Sequence, residues 1–126
     1  MKRKMFLLFS GMLLWGVAFT QASPGSFRIL IESGSPYYSP QTISVQPGIP
    51  IHWENPTATY HTVTHDGCLD GSGCAFDSGA ILPDKMFEVI NLQPGIYPYH
   101  CTLHPIMRGH LVITTDNKQQ RQPQEL

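Results

Sequence analysis

Three side chains suited to soft metals stand three residues apart near the end of the chain. They are Cys101, His104 and Met107, within Cys101-Thr102-Leu103-His104-Pro105-Ile106-Met107. A thiolate and a thioether beside an imidazole select copper or, less specifically, zinc. The first would end a strand and the other two would sit on a tight loop, which Pro105 stiffens by fixing its own φ and removing a donor. Three ligands from one loop need a fourth from a neighbouring strand. His61 is the best candidate. It follows the polar loop Asn55-Pro56-Thr57-Ala58-Thr59-Tyr60 and opens the alternating stretch His61-Thr62-Val63-Thr64-His65, so its ring can face inward at the same end.

The other histidines have plainer readings. His52, between Ile51 and Trp53, reads as a strand-surface or internally bonded residue. His65 shares the parity of His61, but Asp66 beside it makes the two read as a hydrogen-bonded structural pair. Alternation turns His100 away from whatever Cys101 faces, and His110 reads as structural in a final strand. Met107 alone would read as core filling; its spacing from Cys101 and His104 favours ligation.

Short strands must position these residues. Apolar or β-branched runs fall at Phe27–Ser33, Gln41–Gln46, Ile49–Glu54, His61–His65, Met86–Leu92, Ile96–Cys101 and Gly109–Thr115. Gln46-Pro47-Gly48 and Gln93-Pro94-Gly95 separate them, with Pro presetting φ and Gly accepting a positive one. No ten-residue window after the leader keeps a helical stripe, so the pattern predicts an all-β, antiparallel sandwich of seven or eight strands. Residues 66–82 read as a long connection with at most a short turn or strand.

The first 22 residues read as a secretory signal peptide. Lys2, Arg3 and Lys4 precede fifteen residues without charge, Met5 to Phe19, and Thr20-Gln21-Ala22 offers a cleavage site after Ala22. Fifteen is short of the roughly 20 needed to span a bilayer. The expected layout is a leader at 1–22, one domain at 23–115 and a polar, disordered tail at 116–126. Eight Lys and Arg face nine Asp and Glu; three of the basic residues sit in the leader, leaving five against nine, a net of −4. No basic stripe remains for nucleic acid. All three cysteines follow the leader. Cys68 and Cys74 flank Leu69-Asp70-Gly71-Ser72-Gly73 and are close enough to pair, which leaves Cys101 as a functional thiolate among metal-type ligands.

These residues carry a resemblance spread over almost the whole exported chain. It runs through Pro40–Gly48, Ile51–Asn55, His61-Thr62-Val63, Phe76-Asp77-Ser78-Gly79, Pro94–Cys101 and Met107-Arg108-Gly109. In this order, with the short Cys-x-x-His-x-x-Met loop, the chain resembles the cupredoxins, the small type 1 blue-copper proteins. Within them it is most similar to the amicyanin, plastocyanin and pseudoazurin group. The resemblance implies a Greek-key sandwich holding one copper ion, with His61, Cys101 and His104 as strong ligands and Met107 as the weak axial one. Leu103 stands where the short-loop proteins often have proline, and Thr62 where many relatives have Asn. The Cys68/Cys74 pair is additional to the simplest family pattern.

A site of this kind exchanges one electron between Cu(I) and Cu(II) and, with every position filled by protein, leaves none open for a substrate. The expectation is therefore a periplasmic electron carrier, monomeric and not an enzyme. Transient redox partners would dock near His104, on Leu103, Pro105 and Ile106, with Tyr37, Tyr38 or Tyr60 extending the patch. The alternative is a periplasmic copper-binding protein for delivery, storage or tolerance. A structural zinc site ranks last, because methionine is a poor zinc ligand.

Overall fold

The computed structural model describes residues 25–115. The leader at 1–22 and the tail at 116–126 lie outside the described residues. Eight strands appear in chain order: β1 (Phe27–Ile31), β2 (Tyr38–Ser39), β3 (Thr42–Val45), β4 (Ile51–Glu54), β5 (Thr64–His65), β6 (Met86–Val89), β7 (Gly95–His100) and β8 (Arg108–Ile113). One helical turn, α1 (Gly67–Asp70), interrupts them after β5. The strands form two four-stranded sheets, ordered β2-β1-β4-β6 and β3-β8-β7-β5. No helix among the described residues is long and apolar enough to cross a membrane.

The all-β sandwich agrees with the sequence reading, but the pairing is mixed rather than antiparallel. β1 runs parallel to β4, and β3 runs parallel to β8. Hairpins force antiparallel neighbours, whereas a strand that returns after a long excursion can enter in the same direction. Here the chain leaves the first sheet for β3 and comes back as β4. The same topology brings β3 beside β8, far apart in sequence.

Alternation does its expected work in β3, where Ile43 and Val45 are buried between exposed Thr42 and Ser44. Ile29 and Ile31 of β1, Ile51 and Trp53 of β4, Tyr99 of β7 and Leu111 and Ile113 of β8 complete one core. Burying each such side chain contributes about 1.5–3 kcal/mol. Trp53 sits at the centre, with its ring 5.5 Å from Tyr99 edge-on and 5.8 Å from Phe76. This packing holds the two sheets in fixed relation, and with them the two segments that carry the candidate ligands.

Residues 61–65 depart from a simple half-buried strand. All of His61, Thr62, Val63 and Thr64 are buried, and only Thr64–His65 pairs as β5. The cause is a second cover: residues 77–81 lie along this segment, bridging His61 to Ile81 and Thr64 to Asp77. The predicted connection at 66–82 thus contains α1 and a run of backbone that buries the outer side of the site. Cys68 and Cys74 are joined by a disulfide across the α1 loop.

Candidate metal centre

The loop between β7 and β8 closes on itself through two backbone bonds. Met107 N–H donates to His104 O at 2.9 Å, and Cys101 N–H donates to Met107 O at 3.1 Å. Cys101 and Met107 therefore stand opposite one another where the loop leaves the sheet. One step down, His100 and Arg108 are cross-strand partners. Asp66 holds both, with Oδ1 2.5 Å from His100 Nδ1 and Oδ2 accepting from Arg108 Nη1 at 3.2 Å. A carboxylate from the α1 side thus ties together the two strands that carry the loop.

His61 arrives from the segment that leads into β5, the strand beside β7. Its backbone exchanges two hydrogen bonds with Ile81, at 3.3 and 2.7 Å, so the residue is fixed before its side chain is considered. The candidate ligand atoms of His61, Cys101 and His104 all lie within 4.8 Å of one another. Cys101 Sγ is 3.7 Å from His104 Nδ1, and the two imidazole rings are 5.1 Å apart. His61 and Cys101 are buried, while His104 is exposed. Met107 is buried too, and lines with His61 and His104 an open cleft of about 380 Å³.

The surroundings suit a deprotonated sulfur and a neutral ring. Thr62 N–H donates to Cys101 Sγ at 3.3 Å, a bond that strengthens as the sulfur gains negative charge. Thr62 Oγ1 accepts from Thr102 N–H at 2.8 Å, joining the two ligand-bearing segments directly. Threonine thus makes the cross-link at the position where many relatives have Asn. Burial, and then the neighbouring charge of His104, hold the His61 imidazole below its ordinary pKa. A metal ligand must be neutral, so this shift favours binding. His61 Nδ1 is buried and has no hydrogen-bond partner, and Cys101 is the free thiol. A soft thiolate, two imidazoles and an adjacent thioether fit one copper ion.

The remaining expectations fare unevenly. His52 bonds Glu88 across β4 and β6, and His110 is an exposed position on β8. His100 lies outside the His61–Cys101–His104 cluster and bonds Asp66 instead. The expected His65–Asp66 pair is not formed. His65 Nδ1 accepts from Ala75 N–H at 3.2 Å, and its ring packs on Phe76 and Tyr97. Asp66 lies past the end of β5, where the backbone turns into α1, and its carboxylate goes to His100 and Arg108. Tyr38 cannot extend a docking patch. It is fully buried, donates its hydroxyl to Thr62 O at 2.7 Å, and has its pKa pushed up by burial and then by the Cys101 charge. Tyr60 remains exposed, and Tyr37 lines the cleft. Sequence reasoning passed over Asn55, Thr57 and Thr59, whose side chains bond one another and reach His61 Nε2. Their only signal was a polar loop placed just before a candidate ligand.

No protein-family model matches the chain. Amicyanin from Paracoccus denitrificans is 26% identical over 95 residues, covering 75% of this chain and 72% of that protein. A solved Cu(I) form of an amicyanin variant superposes with a TM-score of 0.61 at 24% identity, over 74% of this chain and 86% of the other. The chain is similar to amicyanin in sequence and has the cupredoxin fold. A purple cupredoxin from Nitrosopumilus maritimus shares the fold more distantly in sequence, with a TM-score of 0.60 at 21% identity over 71% of this chain and all of its own. The cupredoxin sandwich explains why the ligand candidates come from one loop and one distant segment. β5, which His61 leads into, pairs with β7, which ends just before Cys101, so one sheet brings both segments to the same end.

Proposed function

We propose that this cupredoxin binds one copper ion through His61, Cys101, His104 and Met107 and carries single electrons between redox partners. The observation that carries the reading is the convergence of one buried thiol and two imidazoles from separate segments, with a buried thioether beside them. Copper supplies the one-electron Cu(I)/Cu(II) couple when bound. The chain supplies constancy. Cys101 is fixed by its own backbone bond to Met107 and by the Thr62 N–H, and His61 by the Ile81 bridge. Ligands held by such supports move little when the charge at the centre changes, and small reorganisation permits fast transfer.

The exposed edge of His104 is the proposed route for the electron. Beside it in the loop stand Leu103 at 53% exposure and Ile106 at 72%. An apolar rim of this size suits brief docking by a redox protein, since weak electron-transfer encounters bury little surface. With the four positions filled by side chains there is no open position for catalysis, so we read the protein as a carrier and not an enzyme. The apolar leader and the Cys68–Cys74 disulfide support export to an oxidising compartment, the periplasm. We expect a monomer.

Copper delivery or storage is the second reading. The cleft beside His61, His104 and Met107 favours it, because it leaves three candidate ligands within reach of an incoming partner. Spectroscopy and voltammetry of the copper-loaded protein separate the two. An intense blue thiolate-to-copper band with a reversible one-electron wave supports the carrier. Rapid copper loss to a chelator without a reversible wave supports delivery, and absence of the blue band in Cu(II)-loaded protein would reject the site itself.

A further inference from the structure

Asn55 follows β4 and is buried, at 1% exposure. Its Nδ2 donates to Thr59 O at 2.8 Å and to Ile81 O at 2.9 Å. Two carbonyls on one side of the amide fix which atom is nitrogen, so Oδ1 faces Thr57. There Oδ1 receives the Thr57 N–H at 3.1 Å and the Thr57 hydroxyl at 2.6 Å. An amide oxygen can only accept, and a hydroxyl has one proton to give. The competing acceptor for that proton, Thr59 O, is farther at 3.2 Å and already receives Asn55 Nδ2. The Thr57 proton is therefore committed to Asn55.

What remains on Thr57 Oγ1 is lone pairs. They face Thr59 N–H at 3.3 Å and His61 Nε2 at 3.0 Å. An oxygen that only accepts needs a proton on the nitrogen opposite. Thr59 Oγ1, 2.9 Å from the same Nε2, has a free rotor and follows either arrangement. A neutral imidazole carries its proton on one nitrogen only, so a proton on Nε2 leaves Nδ1 bare. Nδ1 is the atom that is buried without a partner, where an N–H would be stranded and a lone pair is available to a metal.

We propose that Asn55, acting through the Thr57 hydroxyl, holds His61 as its Nε2–H tautomer in the metal-free protein and so presets Nδ1 as the ligand. Both are positioning residues: neither would touch the metal. The inference rests on the copper-site reading for its purpose, but the proton's position is a property of the apoprotein and is tested there. A ring already in the binding tautomer needs no proton shift when metal enters. A ring left to choose would spend part of its time with Nδ1–H, which has no lone pair in the ring plane to give. Partners that orient a ligating histidine in this way contribute about 10- to 100-fold to metal affinity.

The experiment is long-range proton–nitrogen NMR of the apoprotein labelled with nitrogen-15 histidine, recorded well above the ordinary imidazole pKa of about 6.5. Wild type should show His61 with its proton on Nε2 in a single tautomer. Thr57→Val, which keeps the shape and removes the hydroxyl, should give a mixture, and Thr57→Ser should restore the single form. Thr59→Val should keep it. In copper-loaded protein, Thr57→Val should release the metal to a chelator about 10- to 100-fold faster, with Thr57→Ser at the wild-type rate. A proton on Nδ1 in the wild-type apoprotein would overturn the proposal even if no variant folds. So would a pure Nε2–H signal in Thr57→Val, or its loss in Thr59→Val alone. Failure of the wild-type protein to take up copper would reject the functional reading and leave the tautomer result to stand by itself.

Discussion

The two histidines of the centre are held in opposite ways. His61 is buried, its backbone is bridged to Ile81, and its ring is bonded to two threonine hydroxyls, that of Thr57 held in turn by Asn55. His104 is exposed on a loop whose closure rests on two backbone bonds, with Leu103 and Ile106 open to solvent on either side. The difference assigns separate tasks within one site. The His61 side belongs to the folded framework, and its disruption should be felt by the whole domain. The His104 side is a surface, where a substitution should alter exchange with partners and leave the fold intact.

The sharpest way to break this contrast is Asn55→Ala. It removes one donor each from the Thr59 and Ile81 carbonyls and leaves the half-buried Thr57 hydroxyl without its Asn55 acceptor, and should cost about 3 kcal/mol of apoprotein stability. Urea unfolding measures it, and a loss below about 1 kcal/mol would mean that the His61 side is not framework at all. Next is the far side of the ligand loop. A Cβ on Gly109 would lie 2.3 Å from Tyr99 Cζ, so Gly109→Ala must displace a core ring, at about 2 kcal/mol. Close in size is Cys68→Ser, which opens a short covalent loop at about 2 kcal/mol on the chain-entropy view. That variant should keep any blue band, because neither sulfur belongs to the cluster. A spectrum altered by Cys68→Ser would tie the disulfide loop to the metal centre through Asp66.

Acid should act on the framework histidine. His61 has its pKa lowered by burial and then by His104, so the unfolded chain binds the proton more readily than the folded one. Apoprotein stability should hold above the ordinary imidazole pKa of 6.5 and decline as pH falls below it. Unfolding of the apoprotein at neutral and mildly acidic pH checks the sign; higher stability on the acid side would contradict it. The smallest effect is expected at the surface. Leu103→Ala should change stability by less than about 0.5 kcal/mol while slowing electron exchange with a docking partner.

Much of this contrast was legible in the sequence, and particular residues show why. The loop ligands declare themselves because their spacing is local, and little besides a soft-metal site calls for a thiol, an imidazole and a thioether within seven residues. Pro47-Gly48 marks a real turn, with Gly48 at φ +83°. The second turn was misplaced. Gly95 opens β7, and Asn91 takes the positive φ of 63° instead, a conformation that Asn tolerates. Parity served well where one face is buried, as in β3, and failed at residues 61–64, where both faces are covered. The Asn55–Thr57–Thr59 network and the reach of Asp66 to His100 and Arg108 were invisible. Each joins residues through orientations that only the folded loops define.

The parallel pairing of β3 with β8 also bears on the order in which the molecule comes together. Thr42 lies beside His110 and Val45 beside Ile113, so this register forms only after nearly the whole domain has been gathered. The two segments that supply the candidate ligands are likewise forty residues apart, from His61 to Cys101. Such a topology has a high contact order, and chains of this type fold in milliseconds to seconds rather than microseconds. An ion bound by Cys101, His104 and Met107 in the nascent loop would gain nothing toward closing the sandwich, because the fourth donor is placed only once the segment before β5 has docked beside β7. The polypeptide must therefore build its own scaffold first, and copper enters a cage whose walls already stand.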